Sequence, residues 1–433
     1  MPLPAGLTWE VRTAGNANNG GAYIDLIPGT SVDYSQQNAS QLSITDGACL
    51  LASVTLTSVI GGFTAGMVGN VIQIRAGGVN FVAGFYEIVL FNSANSVNLD
   101  RTPVAAGNGT GGLGEVGGAL ISPETFILNG VAGNLCYVKS GTYNFTANRT
   151  FVAGNTQIFG YDAARNVVPT GVNRPLFALG AFKITTHNVA LLPFTMRNIS
   201  LSGSGTPMIM LTRGLSTFIN CKFLQTANVG AVDCIKQGGD ANYGHNIIDC
   251  EFSGTLGATS VGINGAGMSP TGNNASWFVA FCFFHDLSYG FYNSTNFNER
   301  CMLFLKNIFA RISITSIMIL PGGAQDGVQN IVFNSFYSAG QSHVDLSAQG
   351  CGFIYGNTLD SAVVVALVAT AANKMWHINN NDFWNNGASV SNVVLDYDNI
   401  GLNPLWINPA GNDFNFGPGS PNIDQALGIR LGV

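Results

Sequence analysis

Charged residues are scarce in this chain. Asp, Glu, Lys and Arg make up 9% of its 433 residues, against about 25% in an ordinary soluble domain. That scarcity excludes a long charged helix or a coiled coil, both of which need Glu, Lys and Arg in quantity. No Lys/Arg cluster is present and the formal net charge is −6, so no nucleic-acid partner is expected. The longest apolar run, 362–372, is too short for a bilayer-crossing helix of about 20 residues, and no membrane insertion is expected. The N-terminus lacks the basic and apolar regions of a signal peptide, so synthesis in the cytoplasm without secretion is the expectation. The eight cysteines form no CxxC pair and no Cys/His group with zinc spacing. They read as compact core residues rather than disulfides or ligands, and neither metal nor cofactor is expected.

What the chain does have is 55 Gly, abundant Asn, and 46% apolar residues with 10% aromatics. So many aromatic and β-branched residues at so low a charge exclude a disordered chain. The second half also repeats itself. Phe218-Ile-Asn-Cys221-Lys-Phe223 recurs as Ile247-Ile-Asp-Cys250-Glu-Phe252 and Val279-Ala-Phe-Cys282-Phe-Phe284. It continues through Asn307-Ile-Phe309, Asn334-Ser-Phe336, Asn357-Thr-Leu359 and Asn381-Asp-Phe383. Aligned on the Cys or Asn, successive copies are 29, 32, 25, 27, 23 and 24 residues apart.

Like residues at one phase of a loose period stack if each copy is one coil of a solenoid. Equivalent positions then lie about 4.8 Å apart, the spacing between strands. Phe223, Phe252, Phe284, Phe309, Phe336, Leu359 and Phe383 would fill the interior as one file. Asn307, Asn334, Asn357 and Asn381 would hydrogen-bond up and down a second, continued by Cys221, Cys250 and Cys282. A further β-like run follows each copy, at 232–235, 261–263, 289–292, 314–319, 343–346, 363–368 and 390–395, with Gly, Asn, Ser and Thr between. Two or three short strands per coil define a parallel β-helix. Leu135–Val138, Gly141–Tyr143, Gln157–Tyr161 and 196–201 read as earlier, less regular coils. Residues 1–120 alternate apolar and polar without the ladder, as half-buried antiparallel strands do. The expected architecture is all-β: a small N-terminal β domain over 1–120, a Gly-rich hinge at 107–118, and a parallel β-helix over 121–433.

These repeats resemble the right-handed, single-stranded parallel β-helices of the pectin-lyase-like superfamily. The tail, from Asn403-Pro-Leu-Trp406 through Asp413-Phe to Gly-Ser-Pro421-Asn-Ile-Asp424, is similar to the closing coil of many such proteins, here from about 401. The N-terminal region resembles the module preceding the β-helix in bacteriophage tailspikes and related virion proteins. That resemblance implies a virion structural protein for host attachment. Its partners would be other virion proteins, through the N-terminal module, and a host-surface glycan, and its assembly a homotrimer. A polysaccharide lyase or hydrolase is the rival reading, and a bacterial surface adhesin the third.

The enzymatic motifs of polygalacturonase-like members (Asn-Thr-Asp, Asp-Asp, Gly-His-Gly, Arg-Ile-Lys) do not occur; Arg311-Ile-Ser is the nearest fragment. A glycosidase needs only two facing carboxylates, and Asp249, Glu251 and Asp286 are the candidates. Glu251 lies between inward Cys250 and Phe252, so it points outward, and Asp382 beside Phe383 is expected to do the same. Outward carboxylates on a solenoid ordinarily serve solvation, and fold does not imply activity. His285 and Asp286 suggest a surface pair, while His245 and His343 are assigned to turns. Trp277, Tyr292, Trp376 and Trp384 are candidates for an aromatic sugar platform, with core packing as the plainer alternative.

Overall fold

The computed structural model describes residues 3, 5–24, 32–186, 192–205, 207–212, 214–227, 231–238, 244–255, 259–265, 276–293, 301–319, 328–346, 351–369, 376–391 and 398–424. The chain divides into two units. One comprises Met1–Phe145 with Arg149–Phe177, the other Thr146–Asn148 with Ala178–Val433.

In the first unit, the alternating segments close into a barrel. Its strands run, in spatial order, Leu42–Cys49, Thr55–Thr57, Ser96–Leu99, Gly84–Ser93, Val71–Arg75 and Gly109–Val116. Ile44, Leu56, Ile72, Ile74, Tyr86, Ile88, Val97, Leu99 and Val116 fill it, the inward half of each alternation. Two features depart from the sequence expectation. The Gly-rich stretch is a barrel strand rather than a hinge, because Gly112 and Gly114 leave room for Phe81 and Ile72 to pack against the backbone. The strand Leu7–Val11, placed within the N-terminal β domain from its sequence, pairs in parallel with Leu135–Lys139, which pairs in parallel with Thr156–Tyr161. Glu10 is thereby fully buried, and it accepts hydrogen bonds from the Tyr161 hydroxyl and from Arg165, which also reaches Asp33.

The second unit is a three-sheet parallel β-helix. One coil shows the pattern: Cys301–Leu305, Ile308–Ile312 and Thr315–Ile319 form the first, second and third sheets, each in parallel register with the coils below and above. The expected third strands appear at Ala231–Gln237, Thr259–Asn264, Tyr289–Asn293, Thr315–Ile319, Ser342–Leu346, Val365–Ala369 and Val390–Ser391; of the last run, 392–395 lie outside the described residues. The corner between first and second strands is a single left-handed residue. Asn198, Asn220, Asp249, Phe281, Lys306, Phe333, Gly356 and Asn380 all have φ between 51° and 68°. Asn, Asp and Gly tolerate this conformation; Phe281 and Phe333 are held there by the coils on either side.

Both interior files form. The rings of Phe223, Phe252, Phe284, Phe309 and Phe336 stack at 4.7–5.0 Å and within 8° of parallel. Leu359 and Phe383 continue the register. In the amide file, the backbone N–H of Asn307 donates to Asn334 Oδ1 at 2.8 Å, that of Asn334 to Asn357 at 2.8 Å, and that of Asn357 to Asn381 at 3.0 Å. The side-chain Nδ2 groups repeat the same steps at 3.0, 3.1 and 2.9 Å. Asn399 adds a fifth rung, accepting from Asn381 N at 3.0 Å. At the other end, Cys282 N donates to Asn307 Oδ1 at 2.9 Å. Cys221 and Cys250 continue the file as thiols kept protonated by burial and by the neighbouring thiol. All eight cysteines are free.

The tail is not a further coil of the solenoid throughout. Residues around Asn399 make a last partial rung, with Ile400 bridging Asp382. Trp406–Asn408 and Asp413–Phe416 then turn back as an antiparallel hairpin on the outer face of the second sheet.

Candidate functional site

The outer face of the second sheet gathers a polar constellation across successive coils. Lys222 and Glu251 are register partners one coil apart, and Lys222 Nζ lies 2.6 Å from Glu251 Oε1. On the next coil, His285 Nε2 stands 3.3 Å from the same oxygen, and its Nδ1 is 2.7 Å from Asp286 Oδ2. Arg311, directly above Asp286, grips both carboxylate oxygens at 2.7 and 2.8 Å. Asp286 (φ 56°) and Arg311 (φ 51°) occupy the left-handed position at the end of the second strand, as Ser338, Ser361 and Asn385 do on later coils. This position brings their side chains out together, a charge-assisted bidentate pair. Phe283 stacks on His285 at 4.3 Å, and the hairpin's Phe414 closes on Phe283 at 5.7 Å.

The electrostatics follow from this geometry. Partial burial pushes Glu251 upward, but hydrogen bonds and charge from His285 and Lys222 outweigh it and hold the carboxyl at about 2. Burial raises Asp286 as well, and Arg311 with His285 brings it below the ordinary carboxylate value. Both groups are therefore anions at neutral pH, each tied to a cationic or imidazole partner. General-acid catalysis asks for the reverse, a carboxyl whose pKa is raised.

Of the three candidate carboxylates, Glu251 and Asp286 meet through His285, while Asp249 sits exposed at the corner between the first and second strands of its coil. The four aromatics do not form a platform. Trp277 is 1% exposed, inside the coil against His245 and Phe291. Trp376 belongs to the first sheet, Trp384 to the second and Tyr292 to the third. Three further expectations are corrected. His245 and His343 lie in strands rather than turns, buried, and burial holds both at about 3. Asp382 does face the outer side of its sheet, but it is 0% exposed because the tail covers it. Lys222 and Arg311 were missed as site residues. Their signal lies in the alignment: Lys222 and Glu251 each follow the ladder residue by one position, and Asp286 and Arg311 each follow it by four.

Among the described residues, no group of three or more His, Cys, Asp or Glu side chains is placed to hold a metal ion.

No family model and no curated protein matches the chain. Among solved structures, it is similar to the pectate lyase Pel9A, with 13% identity and a TM-score of 0.36 over 70% of this chain and 85% of that one. It is also similar to the catalytic domain of a GH87 alpha-1,3-glucanase in complex with nigerose, with 11% identity and a TM-score of 0.29 over 84% and 89%. The catalytic unit of the thermostable GH87 alpha-1,3-glucanase of Streptomyces thermodiastaticus gives 10% and 0.25 over 93% and 96%. The β-helix itself rests on the parallel strand pairing and the ladders, not on these likenesses.

Proposed function

We propose that this chain is a glycan-contacting structural β-helix that holds a polysaccharide without cleaving it, of the kind a bacteriophage particle carries for host attachment. The observation that carries the reading is the row from Lys222 through Glu251, His285 and Asp286 to Arg311. It offers donors and acceptors at the step of the coils, about 4.8 Å, on rigid strands, with the His285–Phe283 stack beside it. Such a row suits the hydroxyls and any carboxylates of a repeating saccharide, while ionised Glu251 and Asp286 are poor proton donors to a glycosidic oxygen. Docking of the N-terminal module on a particle and assembly as a trimer belong to the same reading.

Incubating the full chain with capsular polysaccharide or lipopolysaccharide of candidate hosts, and measuring both retention and reducing-end release, tests it. Retention without release is expected, weakened about tenfold in Glu251→Gln or Arg311→Ala. Oligosaccharide release that disappears in Glu251→Gln or Asp286→Asn would establish the enzymatic reading instead.

A further inference from the structure

We propose that Asp382 carries a proton which fastens the C-terminal segment, residues 398–424, to the second sheet, making that segment an acid-closed strap. The observations are independent of the charged row. Asp382 and Asp360 both project from the outer side of the second sheet, one coil apart, and are 0% and 5% exposed beneath the strap. Each grips it: Asp382 Oδ1 accepts from Leu402 N at 3.0 Å, and Asp360 Oδ2 from Trp406 Nε1 at 2.8 Å. Further along, Asn422, 1% exposed, donates through Nδ2 to Thr358 Oγ1 at 3.0 Å.

Asn422 also lies beside the Asp382 carboxyl. Both Asp382 Oδ2 and Asn422 Oδ1 are buried acceptors without a partner. A carboxylate oxygen buried without a donor is costly, whereas a proton on Asp382 Oδ2 removes the charge and makes the group a donor.

Among the described residues, no cation acts on Asp382 to do this instead. Facing Asp382 are Asp360 on the neighbouring strand, Leu402 N–H and Asn422 on the strap, and Thr358. Asp360 is held by Ser361 and Trp406. His343, inside the coil, bonds only the backbone carbonyl of Asp360 at 2.8 Å and stays neutral. Arg311 reaches the strap at Pro409 O, 3.4 Å, but its charge is spent on Asp286. Asp413 on the hairpin bonds Asn415.

Burial, with the charge of Asp360 adding to it, pushes Asp382 up from 3.8 to about 6, against the opposing hydrogen bonds of Leu402 and Asn422. A carboxyl raised in the closed state stabilises closure fully below its exposed value, and that contribution is lost as pH rises through about 6. From pH 5 to pH 8 the opening equilibrium of the strap should rise about tenfold.

Hydrogen exchange of residues 402–424 in the full chain, corrected for intrinsic rates, reads this directly. The expected result is about tenfold greater opening at pH 8 than at pH 5, with a midpoint near 6. In Asp382→Asn, which is uncharged at every pH, the difference should shrink below twofold with the strap closed. Asp360→Asn, which removes the neighbouring charge, should lower the wild-type midpoint. Equal protection of the wild type at the two pH values would mean that an ionised Asp382 fastens the strap just as well, and would overturn the proposal. So would an unchanged tenfold difference in Asp382→Asn, or closure at pH 8 restored by calcium chloride and reversed by EDTA, which would make the fastener a cation.

Discussion

The ladder file of the β-helix is built of two chemistries, and their contrast is instructive. From Cys221 to Cys282 the corner is filled by thiols, whose sulphurs make long contacts of 3.3–3.5 Å to carbonyls such as those of Met196, Ile247 and Ile248. From Asn307 to Asn399 the same corner carries amides in a directional chain, each Oδ1 from Asn334 onward taking two protons from the rung before. The backbone is the same in both, with one left-handed residue ahead of the ladder residue. Only the side chain differs. A thiol contributes mainly by filling space, whereas an amide also completes the hydrogen bonding of its neighbours, so removing it strands groups on two coils at once.

Substitutions can break this contrast in a defined order. The largest effect is expected where both halves share a feature: Phe284→Ala, which interrupts the ring file at 4.7 Å from each neighbour, should cost about 3–5 kcal/mol in urea-melt stability. Next is Asn357→Ala, which removes the acceptor of Asn334 N and the donor to Ile331 O, at about 3 kcal/mol. Cys250→Ala should cost only about 1 kcal/mol. An equal loss from Asn357→Ala and Cys250→Ala in the same assay would show that volume, not hydrogen bonding, governs the file. Smallest of all, Glu251→Gln should change stability by less than about 1 kcal/mol, as for a partly exposed pair. Because the Glu251 carboxyl is depressed to about 2, its contribution is present above its ordinary value of 4.5 and lost as pH falls towards 2. The acid limb of a pH–stability curve should therefore be shallower in the Gln variant.

The repeating core was legible in the sequence because burial forces it to repeat. Phe223 to Phe336 and Asn307 to Asn381 recur since an inward position on one coil sees the same surroundings on the next. Asn399 escaped notice because it follows Asn381 by 18 residues and lacks a phenylalanine two places on. Its signal was Asp398, a residue suited to the left-handed corner it occupies at φ 60°. The strap was not legible. Whether an outward residue such as Asp382 meets water or protein depends on where a distant segment lands, and no periodicity encodes that. His245 and His343 were misplaced for a related reason: a lone polar residue in a strand carries no mark of which side will be enclosed, and here Trp277 and Phe336 enclose them. The charged row was half visible, since its members align in columns, but their contact needed the left-handed geometry at Asp286 and Arg311.

The amide file has one further consequence. Asn334 and Asn357 each receive from the rung before and give to the rung after through the same atoms. A cut after either residue therefore exposes identical chemical ends. Deleting or duplicating the 23 residues between those cuts would rejoin matched partners, so the number of coils is free to drift by whole-unit gain or loss while the interior chemistry stays constant.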